Sequence, residues 1–169
     1  MRASRIAFLL SAVCVYTSAA AASSSEETCN QIESFIHEGL PFFKTRVQIS
    51  DLRKIDGIVS EKSYSSDSEY YEGKQDIYYY FEYSGMTVSA ICIDDGKECM
   101  LDLVEVSSRD IVTKNGIKIG TPSKEISSKF GIARSISDDK WHYGCESSEV
   151  SFTMKDGHVT LVTWGFYTG

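Results

Sequence analysis

The chain has 169 residues, of which 42% are hydrophobic, and it carries 24 acidic against 17 basic side chains. This composition fits one globular domain with a buried core and is too hydrophobic for a disordered chain. The net charge of −7 argues against binding to nucleic acid or to an anionic membrane surface, because both depend on Lys and Arg contacts with phosphate.

The first segment of the chain has the three parts of a secretory signal peptide. Arg2 and Arg5 precede an apolar run over residues 6–16, and a stretch of small residues follows it up to Ala22. The run is shorter than the roughly 20 residues that a permanent membrane anchor needs. We therefore predict a signal peptide over residues 1–22 and an exported, periplasmic or secreted domain over residues 23–169. Loss of the two arginines would leave 15 basic against 24 acidic side chains, a net charge of −9.

Cys14, within this signal, raises lipid attachment as an alternative to soluble export. Lipidation signals usually have Leu three residues before the cysteine and Gly or Ala directly before it. This chain has Ser11 and Val13 at those positions, so we favour export without a lipid anchor and expect no stable membrane insertion.

The four cysteines beyond the signal predict two disulfides, because an even number in an exported chain is typical of a disulfide framework. Three pairings are possible. A turn at Asp95-Gly96 would bring Cys92 opposite Cys99 in a hairpin, close enough to form a bridge. This favours the pairs Cys92 with Cys99 and Cys29 with Cys145.

The remaining sequence first predicts a short amphipathic helix at about residues 24–38. Ser24 and Glu27 have the spacing of a capping box, and apolar residues that include Ile32 and Phe35 recur at helical spacing after them. We expect this helix to pack against the domain by its apolar stripe.

Two similar stretches follow, at about 46–106 and about 111–166, and each predicts a short helix and then three strands. In the second stretch, Pro122 and Gly131 are placed to begin and end a helix. In the first, a helix competes with a hairpin that turns at Asp56-Gly57. The predicted strands are Tyr78–Tyr83, Thr87–Asp94 and Glu98–Val106 in the first stretch, and Trp141–Tyr143, Glu149–Lys155 and His158–Phe166 in the second.

The predicted fold class is α+β, with two tandem helix–strand–strand–strand units that form one antiparallel sheet with short helices on one face. Apolar and polar residues alternate along the predicted strands, which is typical of a sheet with one buried face. Neither unit alone would bury enough apolar surface, so we expect a single domain.

The second unit carries a resemblance. Its opening segment, GIKIGTPSKEI over residues 116–126, runs on to Phe130-Gly131 and is followed by Trp141-x-Tyr143, Val150-x-Phe152 and Asp156-Gly157-x-Val159. This pattern resembles the helix-plus-β-meander repeat of the β-lactamase-inhibitory protein family, a unit shared with small outer-membrane assembly lipoproteins. The first unit is similar in outline. The resemblance implies tandem units in a concave sheet whose aromatic and acidic side chains clamp a target enzyme.

No motif in the sequence indicates catalysis. The chain lacks a G-x-S-x-G elbow, an H-E-x-x-H zinc motif and a P-loop. Asp94 and Asp95 precede a glycine, where acids commonly form turns, and we expect Cys145 to be in a disulfide rather than to act as a nucleophile beside His142. The spacing of cysteines and histidines does not fit a metal site. We therefore predict that the protein is not an enzyme and uses no cofactor or metal.

Tyrosines concentrate between residues 64 and 83, with acids among them. In a strand, Tyr78, Tyr80 and Glu82 share one face, and we expect them to point outward if Phe81 points into the core. Tyrosine supplies rigid contact area with a polar tip, which is why interfaces concentrate it. The alternative is that aromatic residues merely favour strands. The cluster comprises Tyr64, Tyr70, Tyr71, Tyr78, Tyr79, Tyr80 and Tyr83 with Asp67, Glu69, Glu72, Asp76 and Glu82.

These features predict a protein-binding module, most favourably an inhibitor or immunity protein that blocks a basic envelope or secreted enzyme. The excess of acids would steer a cationic partner toward it. The alternatives are a structural accessory of envelope assembly and a small-ligand or glycan binder. Trp164 could equally belong to the core. The predicted partner-binding residues are Tyr70, Tyr71, Tyr78, Tyr80, Glu82, Trp141, Tyr143 and Trp164.

Overall fold

A computed structural model describes residues 28–36, 38–40, 46–69, 71–137, 139–145 and 148–166. The predicted signal peptide over residues 1–22 and the predicted first turn of the opening helix lie outside the described residues.

The chain forms short helices and strands that join into a single sheet, and the predicted α+β class is confirmed at this level. All neighbouring strands pair antiparallel, in the spatial order β1-β2-β3-β4-β8-β7-β6-β5. The elements are α1 (residues 28–36), α2 (Ile49–Leu52), β1 (Ile58–Asp67), β2 (Gln75–Tyr83), β3 (Met86–Ile93), β4 (Glu98–Val106), α3 (Ser123–Phe130), β5 (Ser135–Ser137), β6 (Lys140–Cys145), β7 (Ser148–Lys155) and β8 (His158–Phe166).

Two strands, β1 and β5, were not predicted, so four strands rather than three follow each of α2 and α3. The strand β1 is rich in serine and charged residues, and nearly all its side chains are exposed, so it lacks the apolar alternation that marks a half-buried strand. The short helix α2 is present, and the competing turn at Asp56-Gly57 leads directly into β1. A helix and not a strand precedes this turn, so the helix is the correct alternative in this stretch and the hairpin is wrong.

Glycines end the elements at the positions that the sequence predicted. The helix α3 stops at Gly131, which has a φ of 74°, a conformation that glycine adopts without steric cost. The hairpin of β7 and β8 turns at Asp156-Gly157 with φ values of 51° and 74°, as a two-residue type I′ turn requires.

The helices α1 and α3 pack against one side of the sheet, which we call the covered face. Phe35 of α1 is fully buried, and its ring centroid lies 5.1 Å from Phe130 of α3, 6.0 Å from Phe152 of β7 and 5.6 Å from Trp164 of β8. Aromatic contacts at these distances add to the burial of apolar area. The core continues along alternate residues of the central strands: Phe81, Tyr83, Val88, Ala90, Leu101, Val104, Val106, Val150, Met154 and Val162.

Both disulfides have the pairings that the sequence favoured. Cys92 and Cys99 lie directly opposite each other on β3 and β4, with a Cα–Cα distance of 3.9 Å. Cys29 joins α1 to Cys145 at the end of β6, with a Cα–Cα distance of 5.8 Å across 116 residues of sequence. The second bond therefore ties the first described helix to the far half of the sheet.

The two disulfides should contribute unequally to stability, because the loop-closure entropy removed from the unfolded chain grows with loop length. Replacing Cys29 and Cys145 by alanine should lower the free energy of unfolding by about 5 kcal/mol, and replacing Cys92 and Cys99 by less than about 3 kcal/mol. Urea denaturation of the two double variants measures both values. A larger loss from the Cys92–Cys99 pair would contradict the loop-length argument.

Candidate functional site

The candidate site is the side of the sheet opposite α1 and α3, which we call the open face. Strand pairing sets its composition, because side chains alternate between the two faces and directly paired residues share a face. The register aligns Glu82 with Thr87 and Thr87 with Glu105 across β2, β3 and β4. Tyr64 is opposite Tyr78 on the neighbouring strand β2. The open face is therefore aromatic toward β1 and acidic toward its centre.

Three tyrosines on β1 and β2 form a stack, which we call the tyrosine stack. The ring of Tyr64 lies 4.7 Å from that of Tyr78 at an interplanar angle of 6°, and 6.0 Å from that of Tyr80 at 17°. A side-chain hydrogen bond with Tyr80 raises the pKa of Tyr64 above its ordinary value. About half of the Tyr64 surface and 44% of the Tyr80 surface remain exposed, so flat aromatic area is available for contact.

Three carboxylates beside the stack accept hydrogen bonds from hydroxyl groups. Ser60 Oγ donates to Glu82 Oε2 at 2.9 Å, and Ser89 Oγ donates to Asp102 Oδ2 at 2.8 Å. The third carboxylate, that of Glu105, accepts at Oε2 from the Oγ1 of the paired threonine on β3, at 3.3 Å. These bonds orient the carboxylates without neutralising them. We call Glu82, Asp102 and Glu105 the open-face acids.

The open-face acids have no ion pair within the described part of the chain. Lys62 and Lys140, two basic residues on this face, lie on β1 and β6, outside the strands β2 to β4 that carry the acids. By contrast, an acid at the sheet margin is neutralised: Lys74 Nζ lies 2.7 Å from Asp95 Oδ2. The centre of the open face is therefore left with uncompensated negative charge.

The structure brings some of the predicted binding residues together. Tyr78, Tyr80 and Glu82 lie on one face of β2, as predicted from Phe81 pointing into the core. Tyr71 is exposed in the loop between β1 and β2. Tyr70 lies outside the described residues.

Three predicted binding residues belong to the covered face instead, and their assignment to the binding surface is wrong. Trp164 and Tyr143 are fully buried, and Trp164 stacks on Phe35. Trp141 is half-buried and packs against the same core. The physical reason is the alternation along β6 and β8, which directs these rings toward the helices. The core alternative for Trp164 is the correct one.

Asp76, an acid of the tyrosine-rich segment, is buried. It lies on β2 opposite Ser66 and is 2% exposed, and its Oδ1 atom has no hydrogen-bond partner among the residues that the structure describes. Of the two acids of the segment that lie on β2, Asp76 is thus buried and Glu82 is an open-face acid. Both lie on the face of β2 that carries Tyr78 and Tyr80.

The predicted partner-binding residues did not include Tyr64, Asp102 or Glu105, although Tyr64 belongs to the tyrosine cluster that the sequence predicted. Tyr64 could not be placed because β1 was not predicted. Asp102 lies where the register between β3 and β4 shifts, between Ser89 and Ala90, and such a bulge has no simple sequence signal. Glu105 alternates with buried valines on β4 and could have been assigned from that pattern.

The described residues hold no group of three or more His, Cys, Asp or Glu side chains arranged to bind a metal ion. None of the helices in the described ranges has the length and apolar character needed to cross a membrane.

Comparison with known proteins gives little guidance. No protein family and no curated protein matches the chain. The chain is similar to a solved structure, the uncharacterized protein YfeY from Escherichia coli, with 16% sequence identity and a TM-score of 0.42 over 76% of this chain and 97% of that one. A likeness at this level supports no argument about function.

Two buried tyrosines of the covered face predict a loss of stability at alkaline pH. Burial raises the pKa of Tyr83 and of Tyr143 to about 12, from an ordinary value of 10.0. The hydroxyl of Tyr83 donates a hydrogen bond to Leu52 O at 2.8 Å. Between pH 10 and 12 the unfolded chain ionises first, so the stability contributed by these groups is complete below pH 10 and falls as pH rises toward 12.

A Tyr83→Phe/Tyr143→Phe variant, followed by urea denaturation from pH 8 to pH 12, should therefore lose less stability above pH 10 than the wild type. At pH 8 the variant should be less stable by about 1–2 kcal/mol, because it lacks the hydrogen bonds that the Tyr83 hydroxyl donates to Leu52 O and the Tyr143 hydroxyl donates to Gly131 O. An equally steep alkaline decline in both proteins would show that other groups cause it.

Proposed function

We propose that the protein is an exported module that binds another protein through the open face, and that it inhibits or confers immunity against a basic envelope or secreted enzyme. The observation that carries this proposal is the tyrosine stack beside the open-face acids, which have no ion pair in the described part of the chain. A partner that presents Arg or Lys would supply the missing charge.

The chemistry of the face suits such a partner. Tyrosine rings offer large contact area and attract cations over their faces, an interaction of about 0.5–2 kcal/mol according to desolvation. Carboxylates already oriented by hydroxyl donors lose less freedom on binding than mobile ones would, which favours affinity. The net charge of −9 that remains after loss of the predicted signal peptide, 15 basic against 24 acidic side chains, would attract a basic partner and accelerate encounter.

Export is supported by the two disulfides, since disulfides persist in oxidising compartments, and by the predicted signal peptide over residues 1–22. The same reasoning favours the periplasm or the extracellular medium as the place of action. A partner enzyme would then be one that acts in or on the cell envelope.

The proposal includes a tandem origin for the two halves of the domain. In each half, a short helix precedes four sequential antiparallel strands, and the halves meet where β4 pairs with β8. The sequence resemblance to the repeat of β-lactamase-inhibitory proteins points in the same direction, and in that family tandem units form the surface that holds an enzyme.

The first test measures whether the tyrosine stack binds the partner. Immobilised protein is used to capture proteins from an envelope extract, the captured protein is identified and purified, and its Kd is measured by calorimetry. A Tyr78→Ala/Tyr80→Ala variant should raise Kd at least about tenfold, since truncating interface aromatics commonly costs more than 1 kcal/mol. The matched control is Ile132→Ala, at a 95% exposed position outside the face, which should leave Kd unchanged.

Thermal melting of the three proteins excludes loss of fold as the cause. Equal capture by the wild type and the double-alanine variant would contradict binding through the open face. An assay of the purified partner then separates the functions: inhibition of its enzymatic activity supports the inhibitor, whereas a stable complex with no inhibition supports a structural accessory of envelope assembly.

The second test concerns charge. A Glu82→Gln/Glu105→Gln variant keeps the acceptors for Ser60 and Thr87 but removes two charges, so the association rate should fall while the dissociation rate changes less. Stopped-flow or surface-plasmon measurements from about 50 to 500 mM salt should show that the wild-type association rate falls with salt more steeply than that of the variant. An association rate independent of salt would contradict electrostatic steering.

A further inference from the structure

We propose that the free edge of β1 accepts an extended, basic segment of the partner, which adds to the sheet as a further strand beside the tyrosine stack. This inference rests on the proposed function, because it states how the partner of the open face is held. It assigns a role to the backbone of β1, whereas the site described above consists of side chains.

The strand β1 is a long, open edge. It has ten residues, contains no proline and is exposed along almost its whole length. It stands at one end of the sheet order, and within the described ranges only β2 pairs with it. The strand at the opposite edge, β5, has only three residues. A short edge strand is one way in which proteins protect a sheet edge. The long edge is therefore the one available for strand addition.

The pairing of β1 with β2 identifies the backbone groups that point outward. The amide of Ser68 donates to Lys74 O at 3.0 Å, and the next pair along, Asp67 with Gln75, follows in register. Because antiparallel pairs alternate between bonded and non-bonded types, Asp67 and Gln75 direct their backbone groups away from each other. The Gln75 carbonyl accordingly accepts from Asp95 N on the opposite side, at 3.1 Å.

The alternation continues along the strand, so every second residue offers an N–H and a C=O to the open edge. These residues repeat every two positions, about 6.8 Å apart, and match the spacing that an added antiparallel strand requires. They are Glu61, Ser63, Ser65 and Asp67.

The side chains at this edge indicate a basic occupant. A strand added beside β1 would place a side chain on the open face directly opposite Tyr64, about 4.5–5.5 Å away between Cβ atoms, at the outer end of the tyrosine stack. An Arg or Lys there would lie over the ring and extend the cationic contact toward Glu82. Lys62 lies two residues from Tyr64 on the same face of β1, so the residue of the added strand opposite Lys62 should not be basic, because like charges directly opposite each other are destabilising. On the other side of β1, Glu61 is already bound by Arg53 at 2.7 Å, whereas the exposed Asp67 has no ion pair within the described residues and offers a further contact for a basic side chain. A second copy of the exported chain would bring two net charges of −9 together, 15 basic against 24 acidic side chains in each, which disfavours it.

The test uses the full protein, residue-resolved amide hydrogen exchange by NMR, and a ten-residue Thr-Arg peptide in which a single central Arg is flanked by Thr, so that no second Arg lies opposite Lys62. In the free protein the amides of Glu61, Ser63, Ser65 and Asp67 should exchange rapidly, and the peptide should slow them at least about tenfold. The amides of Tyr64 and Ser66, which pair with β2, should change little.

Two matched peptides serve as controls. A Thr-Glu peptide, with Glu in place of Arg, should not protect the edge. A Thr-Arg peptide that is N-methylated at the alternate residues whose N–H groups face β1 should bind at least about tenfold more weakly, because it can no longer donate hydrogen bonds to the β1 carbonyls. Unchanged exchange at millimolar Thr-Arg peptide, or equal binding of the methylated form, would overturn the proposal. Slow exchange of the four amides in the free protein together with a doubled solution mass would also overturn it, in favour of a second copy.

A variant provides independent evidence. Ser65→Pro removes an outward N–H at an exposed edge position, where proline is tolerated in strands, and should weaken peptide binding about tenfold while Ser65→Ala does not. If Tyr78→Ala/Tyr80→Ala abolishes capture of the natural partner but the edge amides of the complex still exchange rapidly, the open-face proposal stands and the strand-addition proposal fails. If the edge is protected but the tyrosine variant binds the partner normally, the open-face proposal fails.

Discussion

The structure depends on burying one face of a single antiparallel sheet beneath two short helices. The contact at the centre of this arrangement is Phe35, which packs against α3, β7 and β8 at once. A sheet covered on one side exposes the other, and that side can then carry polar and aromatic groups without cost to the core. The division between covered and open faces thus explains both the stability of the domain and the location of the candidate site.

Much of the fold could be predicted from local signals. The Asp-Gly turns, the glycine after α3 and the alternation along β3, β4, β7 and β8 are all short-range features whose physical basis is fixed by backbone geometry. The hairpin turn also anticipated the Cys92–Cys99 bridge. The strand β1 was not predicted because its serines and charged residues show no alternation of apolar and polar side chains. Its conformation depends instead on pairing with β2.

The candidate site was harder to predict because it depends on which face each strand turns outward. The assignment succeeded for β2, where Phe81 fixed the inward side, and failed for β6 and β8, where the conspicuous rings of Tyr143 and Trp164 belong to the core. Aromatic residues are used for both purposes, so their presence alone does not separate an interface from a core. The hydroxyl partners of the open-face acids became visible only through the register of neighbouring strands.

The bond between Cys29 and Cys145 has a consequence for biogenesis. Under the proposed export the chain would emerge from its N-terminus, and 116 residues separate the two cysteines. The first helix would therefore reach the oxidising compartment long before its covalent partner, and in that interval its thiol must not react with the intervening Cys92 and Cys99. Rapid closure of the local hairpin bridge, between cysteines only seven residues apart, would remove both competitors and leave the last cysteine to emerge as the remaining partner. The spacing of the thiols along the chain thereby favours one order of oxidation.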